Sequence, residues 1–177
     1  MSELPNTGFN KGLVDPFLPL DVRELLLNVV LRWASVDGAV SRLFASSHAL
    51  DDVAHADAIS ALPTSTKIRQ IYCIIKPLNK PVGAAINKLK RLYEKRSVTR
   101  NLIAHAHCAG RMVSDPDRVV FLEYASRGTG GLIAAHVPLS QLREAIRFGE
   151  IMRGEVERID RIIRDANLPL TGAIASD

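Results

Sequence analysis

A chain of 177 residues, 47% hydrophobic and 24% charged, is long enough to bury one real core and too apolar to be an unstructured polyelectrolyte. Two cysteines without metal-type spacing exclude a disulfide scaffold, and no uncharged apolar run reaches the roughly 18 residues of a membrane span. The net charge of +4 conceals an asymmetry: residues 1–63 carry four Lys/Arg against eight Asp/Glu, residues 64–111 eleven against the single acid Glu94, and residues 112–177 eight against ten. Positive charge concentrated in this way suggests a polyanion partner or an acidic neighbouring surface.

In chain order, Pro5, Pro16 and Pro19 make residues 1–20 read as an irregular arm. The polar start at Met1–Lys11 lacks the apolar core of a signal peptide, so a cytoplasmic protein with Cys73 and Cys108 as free thiols is expected. Asp21 suits an N-cap with Glu24 in capping-box position, and Leu25, Leu26, Val29, Val30, Trp33, Val36, Val40, Leu43 and Phe44 continue a helical stripe toward His48. Asp51 to Ala61 reads as a short helix closed by Pro63. Thr64 or Ser65 then caps a helix that turns Ile68, Ile71, Tyr72, Ile74 and Ile75 inward and ends near Pro77.

Pro81 fits the first turn of the next helix, which runs through Ile86, Leu89, Leu92 and Tyr93 toward His105 and stops by Gly110. Val119–Ala125 and Leu132–Val137 read as two strands joined by the glycine-rich residues 126–131. Ser140 caps a last long helix carrying Leu142, Ile146, Met152, Val156, Ile159 and Ile163 on one face, and residues 167–177 form a tail. The expected architecture is all-α: one up-and-down helical bundle over 21–166, with a small β-hairpin at about 118–137 inserted before the last long helix.

Chemistry concentrates where the basic segment ends, at Arg100-Asn101-Leu102-Ile103-Ala104-His105. An arginine forks onto a phosphate, and a histidine exchanges a proton near neutral pH. The spacing alone is ordinary. Arginine followed by histidine after four to six residues occurs three times, at Arg100–His105, Arg100–His107 and Arg42–His48, where chance supplies about one. The surroundings favour the first, since an amide follows Arg100 directly and Lys88, Lys90, Arg91, Lys95 and Arg96 precede it. Five residues apart on a helix, Arg100 and His105 stand about 140° apart around the axis. A second copy packed across a twofold would bring one chain's arginine to the other's histidine.

Arg-Asn-(three residues)-His at the end of a basic bundle helix resembles the signature of the HEPN superfamily, small helical bundles marked by arginine, four to six residues and histidine. That resemblance implies a metal-independent endoribonuclease acting as a homodimer, with Arg100, Asn101 and His105 catalytic in a cleft shared by two copies. Around them, Lys88, Arg91, Lys95, Arg96, Tyr93 and His107 are the candidate nucleic-acid contacts. It further implies RNA as substrate, no metal or other cofactor, and a toxin–antitoxin or phage-defence setting with an antitoxin or nucleotidyltransferase-like partner. Tyr93 also belongs to the apolar stripe and has a core reading. Two alternatives stay open: a non-catalytic helical interaction module whose basic helix docks an acidic partner, and nucleic-acid binding without cleavage.

Overall fold

The structure is a computed structural model that describes residues 11–50, 55–124 and 132–166. A 3₁₀ turn at Lys11–Leu13 leads into strand β1 (Val14–Asp15) and helix α1 (Leu20–Ser47). Helices α2 (Ala56–Ala61), α3 (Thr64–Leu78), α4 (Lys80–Arg96) and α5 (Val98–His105) follow. Strands β2 (His107–Met112), β3 (Arg118–Tyr124) and β4 (Leu132–Pro138) then precede α6 (Leu139–Asp165). The described residues are mostly helical, with a small antiparallel sheet in the order β1-β2-β3-β4. No helix among them is long and apolar enough to cross a membrane.

The helical stripes form helices close to where the sequence places them, with three differences. The sheet has four strands where a two-stranded hairpin is expected. In β3 and β4 the apolar runs Val119-Val120-Phe121-Leu122 and Leu132-Ile133-Ala134-Ala135 are plain, and the strands pair Val119↔Val137 and Phe121↔Ala135. His107-Cys108-Ala109-Gly110-Arg111-Met112 has no such run, yet it pairs with β3 through a register shift between Cys108 and Gly110. Gly110 sits at φ +132, and a Cβ there would run into the Asp15 carbonyl, so only glycine lets β1 close on β2. Lys11–Asp15 is thereby structured, whereas an irregular arm is expected there; residues 1–10, 51–54, 125–131 and 167–177 lie outside the described residues, with parts of the expected arm, short helix, loop and tail.

Secondly, the long basic helix is broken. Ser97, at φ −74 and ψ −8, ends α4 and starts α5. It opens the run Ser97-Val98-Thr99, whose β-branched residues are poor helix formers. The chain turns extended at Ala106 (ψ 154), so Arg96 and Arg100 stand on different helices rather than one turn apart on one. Thirdly, the expected caps are helical residues. Helix α6 starts directly from β4, with the Leu139 amide donating to the Asp117 carbonyl at 2.8 Å, so Ser140 is not a cap. Asp21 lies inside α1, and Thr64 and Ser65 lie inside α3, whose N-cap is Pro63.

The chain divides into two compact units, Met1–Leu31 with Ser97–Arg147, and Arg32–Arg96 with Phe148–Asp177. The first holds the sheet, α5 and the starts of α1 and α6, and buries Val22, Val29, Val119, Phe121, Val137 and Leu142. In it the Gln141 amide donates to the Thr99 hydroxyl at 2.9 Å, tying α6 to α5. The second holds α2, α3, α4 and the remainders of α1 and α6. It buries Trp33, Val40, Leu43, Ile68, Ile71, Ile75, Ile86, Val156 and Ile163.

Candidate functional site

The nine candidate residues are distributed over both units: Arg100, Asn101, His105 and His107 in the first, Lys88, Arg91, Tyr93, Lys95 and Arg96 in the second. On α5, Arg100 Nη1 donates to Asn101 Oδ1 at 3.0 Å. That bond fixes the guanidinium against the amide and leaves the Asn101 NH₂ group as a donor. Asn101 and His105 are both exposed and one turn apart, so they share a face of α5. His105 is the last residue of the helix. The guanidinium held on the Asn101 amide is a group that can fork onto a phosphate, and the imidazole one turn beyond Asn101 is of the type that exchanges protons.

His107 is not the helix-end residue expected. It begins β2 as an exposed strand residue opposite Leu122, beyond the extended Ala106. Among the described residues no group of three or more His, Cys, Asp or Glu could hold a metal ion.

On α4, Lys88, Arg91 and Lys95 are exposed. Arg96 is half-buried, its guanidinium carbon 3.9 Å from the centre of the Phe148 ring, a cation–π contact that ties the end of α4 to α6. Tyr93 is 7% exposed and meets Trp33 edge to face at 5.7 Å, while its hydroxyl donates to Asp37 Oδ1 at 3.2 Å. Its ring belongs to the core and presents no face to a base. The stripe Ile86-Leu89-Tyr93, buried throughout, already carried that signal.

A polar cluster in the second unit is invisible in the sequence. Asp37 Oδ1 accepts from the Thr64 hydroxyl at 2.9 Å as well as from Tyr93. Lys67, buried on α3, donates from Nζ to Ser41 Oγ at 2.9 Å, and that hydroxyl donates to the Asp37 carbonyl at 2.9 Å. Burial pushes the Lys67 ammonium below its ordinary pKa, and the Asp37 carboxylate offsets part of the shift. The cluster joins α1, α3 and α4 through bonds between residues 26 to 56 positions apart, which no local pattern links. Elsewhere, burial pushes the Cys108 thiol up, against a hydrogen bond from the Gly110 backbone. No protein-family model, curated protein or solved structure matches the chain.

Proposed function

We propose that this chain is an HEPN-like helical-bundle protein that binds RNA and cleaves it without a metal, at a site composed from two copies of the chain. The observation that carries the reading is the edge of α5, where the Arg100 guanidinium is held on the Asn101 amide at 3.0 Å and an exposed His105 stands one turn further on. The eleven Lys/Arg of residues 64–111 against one acid supply attraction for a polyanion.

In the proposed reaction His105 of one copy takes the proton of an RNA 2′-hydroxyl, and that oxygen attacks the adjacent phosphorus. Arg100 of the other copy neutralises the charge that builds on the non-bridging oxygens. The bond to the 5′-oxygen breaks, that oxygen takes a proton from water, and His105 gives up its own to solvent before the next turnover. The products are a 2′,3′-cyclic phosphate and a 5′-hydroxyl. A toxin–antitoxin or defence role, with an antitoxin or nucleotidyltransferase-like protein as partner, is part of the same proposal.

The test is incubation of purified protein with structured RNA in EDTA, beside Arg100→Ala and His105→Ala. Cyclic-phosphate ends that vanish in both variants are expected. Intact RNA that is nevertheless bound in a salt-dependent way removes the catalytic part. One observation favours a second reading, the interaction module. Leu20, Leu27 and Leu31 of α1, spaced for one helical face, are 64%, 57% and 55% exposed. That face serves a partner whether or not RNA is cut, and absence of any RNA binding at low salt leaves it as the remaining function.

A further inference from the structure

The crossing of α3 and α4 forms a groove of about 460 Å³ on the second unit, lined mainly by Tyr72, Lys76, Pro77, Lys80, Ala84 and Asn87. Its floor depends on close approach. Gly83 is buried, and a Cβ there would stand 2.8 Å from the Lys76 Cα, so glycine lets the two helices meet. The lining contains no acidic residue. Tyr72 is half-buried on the wall, and the Lys76 ammonium lies 5.3 Å from the centre of its ring.

From the mouth of this groove a basic stripe runs along α4. Lys80, Ala84, Asn87, Lys88, Arg91 and Lys95 follow helical spacing and fall within an arc of about 100°. The stripe extends about 22 Å from Lys80 to Lys95. None of the ion pairs among the described residues engages Lys76, Lys80, Lys88, Arg91 or Lys95, and the only acid of α4, Glu94, is held by Lys90 at 3.7 Å.

We infer that the α3–α4 groove and the stripe that leaves it bind single-stranded nucleic acid, with Tyr72 receiving a base and the five cations following the phosphates. This deepens the RNA-binding reading by naming its contact surface. A row of unneutralised cations binds any polyanion, but an aromatic ring beside it, over an apolar recess, matches a chain that alternates phosphates with flat bases. An acidic protein surface would use the cations and leave Tyr72 idle. Tyr72 thus takes the stacking role that the buried Tyr93 cannot fill.

The experiment is fluorescence anisotropy with oligothymidylate, which has no 2′-hydroxyl and so reports binding apart from cleavage. Wild-type protein should bind with a salt dependence that reflects about three or more phosphates. Tyr72→Ala should weaken binding about tenfold and Tyr72→Phe should restore it, while Lys80→Ala with Arg91→Ala should lower the salt slope by about 1.4. Unchanged Trp33 fluorescence shows that the variants fold. Absence of binding at low salt, wild-type affinity in Tyr72→Ala, or equal competition by polyglutamate overturns the inference, the last pointing to an acidic protein. If oligothymidylate binding follows Tyr72 but RNA stays uncut, the ribonuclease reading fails and the groove stands. If RNA is cut as before by a Tyr72→Ala protein of undiminished affinity, the groove fails and that reading stands.

Discussion

Asp37→Ala removes the acceptor on which α1, α3 and α4 converge. The carboxylate accepts from Thr64 at 2.9 Å and from Tyr93 at 3.2 Å. A hydrogen bond to a charged acceptor contributes about 1.5–3 kcal/mol at good geometry, and the longer Tyr93 bond about 1 kcal/mol. The substitution also strips the buried Lys67 ammonium of the charge that offsets its desolvation. Asp37 is only half-buried, so water recovers part of the loss, and a total of about 3 kcal/mol is expected. For a chain of this size that corresponds to a fall in Tm of about 6–12 °C. Trp33, the single tryptophan and the ring against Tyr93, is the natural reporter in urea denaturation. Tyr93→Phe alone should cost about 1 kcal/mol and add little once Asp37 is gone. A loss below about 1 kcal/mol in Asp37→Ala, or full additivity of the two changes, would refute the reasoning.

Three further outcomes are expected. Gly110→Ala forces a side chain onto φ +132 and into the Asp15 carbonyl; it should destabilise by at least about 2 kcal/mol in urea and release protection of the Val113 amide, which donates to the Leu13 carbonyl at 3.0 Å, in hydrogen exchange. His48 donates from Nδ1 to the Phe44 carbonyl at 2.9 Å. Burial holds its pKa below the ordinary value, against that hydrogen bond. The folded state therefore binds fewer protons than the unfolded, so stability is complete above about pH 6.5 and falls as pH is lowered through that value. Urea midpoints across pH 7.5 to 5 check it, and a midpoint rising on acidification in wild type but not in His48→Gln contradicts it. Cys73 is exposed, while Cys108 is half-buried with a raised pKa. Ellman's reagent should consume one thiol rapidly and the other slowly at pH 8, with Cys73→Ser deleting the rapid phase.

Helices were legible because their stripes repeat at 3.6 residues. Trp33, Val36, Val40 and Leu43 on α1, and Ile68, Ile71 and Ile75 on α3, are buried as that period requires. The strands of β3 and β4 were legible as short apolar runs on either side of the glycine-rich residues 126–131. What escaped notice depends on distant partners. Nothing local marks Val14–Asp15 or His107–Met112 as strands, since each exists through pairing 98 or 15 positions away in the register Val14↔Met112 or His107↔Leu122. Asn79 escaped as well: its Oδ1 caps α4 by accepting the Val82 amide at 3.1 Å, a signal overshadowed by Pro81.

At the candidate site the same division applies. The exposure of Lys88, Arg91 and Lys95 follows from their places on an amphipathic helix. The break at Ser97 and the extended Ala106 do not, and they move Arg100, Asn101 and His105 onto a short helix of their own and His107 onto the sheet. The burial of Tyr93 depends on Trp33 and Asp37, 60 and 56 positions earlier, and a helical stripe records only that the position is apolar.

The central claim, a site composed from two copies of the chain, is tested most directly by mixing two inactive variants. Arg100→Ala contributes an intact His105 and His105→Ala an intact Arg100. After unfolding and joint refolding, half of the dimers are mixed and each holds one complete pair, so about a quarter of wild-type RNA cleavage in EDTA should return. Recovery absent from mixtures that demonstrably exchange subunits, or full activity in either variant alone, would contradict the account.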